Sequence, residues 1–242
     1  MQLNWPKPTG FPELSAETIH VWALPLNGIR ASFAEMEATL SPIERNRLRN
    51  IAFDKPRITF VAARAALRSL LGRYLDQPSA DVQILNDSNG KPRLVDRDLC
   101  FNLAHSGDLT LIAVTRGAEI GVDVELLRTV DHLHEIAARN FHSAERHALR
   151  DADASQTSEL FLRCWTRKEA VLKTNGVGLG YPLDSFCVLT NRVGSGSLEL
   201  PPYDSLSPVT CWWHDLEPCS GYLAAVSTSK PASNLQGFTY HL

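Results

Sequence analysis

The chain is poor in the features that would place it outside a cell or in a membrane. Its 242 residues hold five cysteines (100, 164, 187, 211 and 219), none of them in a Cys-x-x-Cys pair. An odd, scattered set of this kind argues for reduced thiols in the cytoplasm, not for a disulfide frame. No apolar run approaches the ~20 residues of a membrane span. Met1 to Gly10 carries two prolines and no apolar h-region, so a secretory leader is not expected.

Several catalytic signatures are missing too. Gly176-Val177-Gly178-Leu179-Gly180 follows a helical stretch and does not open one, which excludes a dinucleotide fingerprint. Gly90-Lys91 lacks the spacing and hydroxyl residue of a P-loop. Histidines 132, 134, 142 and 147 cluster, but no pair has i, i+4 spacing and no Cys₂His₂ pattern surrounds them, so zinc is not expected. No serine sits in a Gly-x-Ser-x-Gly elbow after a strand. Neither internal repeats nor low-complexity linkers occur.

What remains is ordinary globular material, 44% hydrophobic, with net charge −3. The charge is uneven. Glu44 to Arg73 holds eight basic residues against two acidic ones, a local +6 that leaves −9 for the rest. Such a patch suits an anionic ligand or an acidic partner, or simply a solvated helix face.

Strands and helices come in clusters, not in βαβα alternation, which predicts an α+β fold with antiparallel sheets. His20–Leu26 reads as a first strand. Ser41-Pro42-Ile43-Glu44 is a helix start, with a serine cap, proline at the first position and a glutamate completing the box. Arg57–Leu75 follows as a helix, its apolar stripe running from Ile58 to Leu70 and its arginines at 57, 64 and 68 mostly off that stripe. Asn89-Gly90 signals a hairpin turn. Strands at 100–104, 109–115 and 119–125 then form one antiparallel run. Helices are expected over 130–139, 143–150 and 159–173, and closing strands over 186–190, 197–200, 209–214 and 222–227. The last dozen residues look loosely held. A seam near 116–119 divides the chain into 1–117 and 118–242.

Two short segments carry the chemistry. On a strand, Asp123 and Glu125 point to one face while Val122 and Val124 point to a core. Carboxylates side by side repel unless a cation sits between them, although a solvated face would show the same pattern. On a helix, Glu169 and Lys173 are neighbours, which is also the spacing of a surface ion pair. Lys168 falls within the apolar face and must snorkel out or meet a buried anion. If strand and helix face each other, three hard oxygen ligands and one cation converge, a site for Mg²⁺ and a polyphosphate. His105, followed by Ser106 and Gly107 at a strand end, could contact a phosphate.

Gly90-Lys91-Pro92, Phe101-Asn102-Leu103-Ala104-His105-Ser106-Gly107, Gly121-Val122-Asp123-Val124-Glu125 and Trp165-Thr166-Arg167-Lys168-Glu169-Ala170-Val171-Leu172-Lys173 stand together in a telling order. In this the chain resembles the 4'-phosphopantetheinyl transferases of the monomeric, surfactin-synthetase-activating type. The resemblance runs from about Ser41 to Phe186. It implies two pseudo-two-fold-related α+β halves with the active site between them. It implies coenzyme A as substrate, Mg²⁺, and an apo acyl or peptidyl carrier protein whose serine receives the phosphopantetheine arm. It further implies that Asp123, Glu125 and Glu169 hold the metal, and that Lys173 contacts phosphates and assists the leaving group. His105, Ser106 and Arg45 or Arg49 would bind the coenzyme, Lys91 would lie near the nucleotide, and Glu169 is the candidate base. A monomer is expected, with no nucleic acid or membrane partner. The alternatives are a non-catalytic coenzyme A or carrier-protein binding module of the same fold, and an RNA binder using the arginine-rich helices. The latter lacks interleaved aromatics.

Overall fold

The computed structural model describes residues 4–95, 98–189, 194–203 and 207–242, without the side chain of Leu179. The first half of the chain runs β1 (Thr18–Pro25), α1 (Phe33–Ala38), α2 (Pro42–Arg49), α3 (Asp54–Leu75), β2 (Ile84–Asn86), β3 (Pro92–Leu94), β4 (Leu99–Ser106) and β5 (Leu109–Arg116). The second runs β6 (Ile120–Leu126), α4 (Leu133–Asn140), α5 (Ser143–Asp151), α6 (Ala154–Asn175), β7 (Ser195–Leu200), β8 (Val209–Leu216), β9 (Tyr222–Thr228) and β10 (Asn234–Thr239).

Two four-stranded sheets, ordered β10-β1-β5-β4 and β6-β9-β8-β7, form the frame, and β2 and β3 make a separate hairpin. All pairings are antiparallel except β1 with β10. The α+β class expected from the sequence is therefore what is seen. The expected single run of strands is not. Gly117, at φ +66°, turns the chain out of β5, and β6 leaves the first sheet to pair with β9.

Each sheet buries one face under a long helix. Val61, Ala62, Ala65, Ala66 and Leu70 of α3 pack on Trp22, Phe101, Ile112 and Val114. Cys164, Val171 and Leu172 of α6 pack on Cys211, Trp213 and Leu223. The other faces meet each other. Ile19, Val21, Leu111 and Ala113 of the first sheet join Ile120, Val122, Val124 and Val226 of the second in a core at the seam. Burying a Val or Ile fully contributes about 1.5–3 kcal/mol. An apolar seam of this kind holds the halves as one body.

The structure corrects several local expectations. The last dozen residues are not loose: β10 pairs with β1, and the Phe238 ring packs, tilted, 4.7 Å from the centre of the Trp22 ring. Residues 186–189 form no strand, and position 190 lies outside the described residues. There the backbone is satisfied by buried side chains instead, with Val188 N–H donating to Glu145 Oε1 (2.8 Å). Arg68 is not on a free helix face. It is 2% exposed, its Nε donates to Glu44 Oε2 (2.6 Å), and it also bonds the Ser79 and Val82 carbonyls. Ile58, by contrast, lies off the core at 46% exposed.

The capping box on α2 forms as expected, with Ser41 and Glu44 satisfying each other's backbone N–H. None of the five cysteines is in a disulfide.

Candidate active site

The site begins with a glycine. A Cβ on Gly121 would lie 2.1 Å from the Ala170 carbonyl oxygen and 2.5 Å from Thr174 N, so only glycine lets α6 lie flat on β6. Two residues along the same face comes Asp123, aimed at the helix. Lys173 Nζ donates to Asp123 Oδ1 at 2.6 Å and to the Val122 carbonyl at 3.3 Å. Asp123 is 7% exposed, and its Oδ2 has no partner.

Burial pushes the Asp123 carboxyl up to about 7; Lys173 pulls it down, while Glu169 and Glu125 push it further up. Burial therefore outweighs the lysine. Glu169 is raised as well, by burial first and by Glu125, against the pull of Lys173. So Glu169 and Lys173 do share a helix side, but the ion pair of Lys173 crosses to β6 and is no surface i, i+4 pair.

The two sheets are stitched here by side chains of β4. Ser106 Oγ donates to Glu125 Oε2 (2.9 Å) and accepts from Leu126 N–H (3.1 Å). Asn102 Oδ1 accepts from Val122 N–H (3.0 Å). His105 belongs to β4, not to the turn after it, and pairs with Thr110. Burial and the Lys173 charge hold its imidazole below the usual histidine value, with Glu125 opposing them.

Among the described residues no three His, Cys, Asp or Glu side chains stand grouped as a metal ion would need. Asp123 Oδ1 is occupied by Lys173 and Glu125 Oε2 by Ser106. The donor set still suits a hard cation. It consists of carboxylate oxygens, one of them buried and unpaired, so a desolvation cost stands open for a cation to offset.

Beside these residues a cleft of about 330 Å³ opens between the halves. Lys173 lies at one wall, and Arg47 of α2, Arg64 of α3 and the Asn89–Pro92 turn form others. The two guanidinium groups flank Phe60, at 5.5 and 5.7 Å from its ring centre. Neither Arg45 nor Arg49 lines the cleft. Arg45 donates to the Ala38 carbonyl (3.0 Å), and Arg49 is exposed. Arg47 and Arg64 were hidden among eight basic residues; the stretch signalled an anion, and only the helix packing says which members face it. Lys91 lines the cleft with its stem, but its ammonium is turned into the protein.

Arg47, Arg64 and Lys173 line a cleft between two α+β halves, an arrangement suited to an anionic ligand such as a polyphosphate. Residues 119–227 match the 4'-phosphopantetheinyl transferase superfamily, and residues 27–117 match its N-terminal region as described for "4'-phosphopantetheinyl transferase, N-terminal". Three relatives agree. The 4'-phosphopantetheinyl transferase HetI of Nostoc sp. is 40% identical over 184 residues, 74% of this chain and 77% of its own length. The 4'-phosphopantetheinyl transferase Sfp of Bacillus subtilis is 31% identical over 193 residues, 79% and 83% of the two chains. The 4'-phosphopantetheinyl transferase psf-1 of Bacillus pumilus is 32% identical over 216 residues, 80% and 89%. The chain belongs to the 4'-phosphopantetheinyl transferase superfamily, in its Sfp type.

Proposed function

We propose that this protein transfers the 4'-phosphopantetheine group of coenzyme A to a serine hydroxyl of an apo acyl or peptidyl carrier protein. Adenosine 3',5'-bisphosphate is the other product. One observation carries the site assignment: Lys173 and the half-satisfied Asp123 meet at the edge of the cation-lined cleft.

In this reading the coenzyme diphosphate lies by Lys173, with the nucleotide end toward Arg47, Arg64 and the 89–92 turn. Arg45, Arg49, His105 and Ser106 remain further candidates for phosphate contact. Asp123, Glu125 and Glu169 would hold Mg²⁺, which when bound offsets the charge of the diphosphate.

The serine oxygen forms a bond to the nearer phosphorus as the bond to the departing nucleotide phosphate breaks. The serine proton passes to Glu169, or to a water it holds; burial raises the basicity of this carboxylate. Lys173 steadies the charge growing on the departing phosphate. Displacement of this type needs positioning and charge neutralisation more than covalent help, so no nucleophile of the enzyme's own is required.

Among the described residues no helix is long and apolar enough to cross a membrane. In this reading the protein works in the cytoplasm as a monomer.

The test is incubation with coenzyme A, Mg²⁺ and a panel of apo carrier proteins, read by intact mass. Transfer adds roughly 340 Da to the carrier. Coenzyme A binding without any such shift would make the protein a binding module.

A further inference from the structure

The cleft wall formed by the β2–β3 turn is held in place by an ionic clasp. We propose that Lys91 and Glu119 are positioning residues, locking this turn to the start of β6 and the end of α6, and that the Lys91 ammonium does not touch the coenzyme. The proposal rests on the transferase reading above.

An ammonium has three N–H donors and no more. Those of Lys91 go to Glu119 Oε2 (3.0 Å), the Ile120 carbonyl (3.1 Å) and the Thr174 carbonyl (2.9 Å). The residue is 8% exposed. Nothing is left over for a phosphate. Each acceptor instead belongs to a different part of the site's frame. Ile120 opens the strand that carries Gly121 and Asp123. Thr174 follows Lys173, and its carbonyl is one of the last of α6, which the helix itself cannot satisfy. Glu119 sits at the junction of the two halves.

The network closes on the turn it holds. Arg93 Nη1 donates to Glu119 Oε1, and Arg93 Nε donates to Asp87 Oδ2 (2.8 Å). Asp87 Oδ1 accepts from the backbone N–H groups of Asn89 (3.0 Å) and Lys91 (2.9 Å). The Lys91 stem packs by Gly176, where a Cβ would come within 3.3 Å of Lys91 Cδ. Asn89 and Gly90 therefore reach the cleft from a turn fixed at both ends.

A clasp and a phosphate contact make opposite predictions for the same residues. If Lys91 bound a coenzyme phosphate, Glu119 would compete with it, and Glu119→Gln would tighten binding. If the pair is a clasp, either change loosens the turn. We expect Lys91→Met and Glu119→Gln each to raise KM for coenzyme A roughly tenfold with kcat within about threefold. The preference for coenzyme A over 3'-dephospho-coenzyme A should be unchanged. The double variant should be no worse than the worse single. Tighter coenzyme binding by Glu119→Gln, or a collapse of that preference in Lys91→Met, would overturn the proposal.

Urea denaturation gives a readout free of activity. Coupled, less-than-additive losses support the clasp, and strictly additive ones sink it. This arm stands even if the wild type transfers nothing, and Glu119→Gln, which keeps shape, serves if Lys91→Met does not fold.

Discussion

Five residues apart on α6, Lys168 and Lys173 each meet a carboxylate, and the two pairs are built to different ends. Lys168 and Glu145 have no exposed side-chain surface and lie 2.9 Å apart. The lysine's other donors go to the Leu183 and Phe186 carbonyls, and Glu145 accepts from His142 and Val188 N–H. Every polar atom is answered. The Lys173–Asp123 pair is half open, with Asp123 Oδ2 unanswered and Glu169 carrying its own raised carboxyl beside it. The first pair is fully buried and the second only partly so. What separates frame from site is whether the hydrogen-bonding capacity is used up.

The largest effect expected from this contrast is on turnover. Asp123→Ala should lower holo-carrier formation by roughly 10³-fold. Its melting temperature should stay within a few degrees of wild type. Near-normal turnover would erase the distinction between the pairs. Next comes stability: Lys168→Met strands a buried carboxylate and should cost on the order of 3–5 kcal/mol in urea. Adding Glu145→Leu should restore most of that, because an apolar replacement of the whole pair leaves no orphan charge. Third, Lys173→Met should cut kcat by about 10²-fold with a much smaller rise in KM, since the leaving charge develops only in the transition state. A variant that binds coenzyme poorly but turns over normally would reverse that role.

The last effect is in pH. Asp123 titrates higher folded, at about 7, than unfolded. The metal-free folded state therefore takes up the proton first, and this group's contribution to stability grows as pH falls from about 7 toward its unfolded value near 4. His20 works the other way. Burial holds it at about 4, so stability is lost as pH falls below its unfolded value of 6.5. The Asp123 effect is thus isolated by difference. Metal-free Asp123→Asn should be more stable than wild type by about 2–4 kcal/mol at pH 8, with the gap narrowing below pH 7 and closing only near pH 4. A constant gap across that range would show that Asp123 is already neutral or already paired.

The elements whose signals are local could be read ahead of the structure. Alternation in 120–125 placed Asp123 and Glu125 on one face, and helical spacing placed Glu169 beside Lys173 and Lys168 in the core. The Ser41–Glu44 box announced α2. What escaped depends on partners far away in the chain. Arg68 looked like one more surface arginine because Glu44 lies twenty-four residues before it. β10 reads as polar tail and becomes a strand only when β1 supplies its ladder. The resemblance placed Lys91 near the nucleotide; its ammonium also meets three backbone and side-chain acceptors that only folding assembles. Residues 186–189 carry strand-like composition, but Lys168 and Glu145 take the backbone groups that a ladder would need.

The pairing of β1 with β10 bears on the order of events during synthesis. Thr18 leaves the ribosome 216 residues ahead of its neighbour Asn234. Until then the outer edge of the first sheet lies open, with unpaired amides and carbonyls available to any extended stranger. Emergence of β10, more than collapse of either half, closes that edge, and a nascent chain stalled before position 234 is the form most exposed to mispairing.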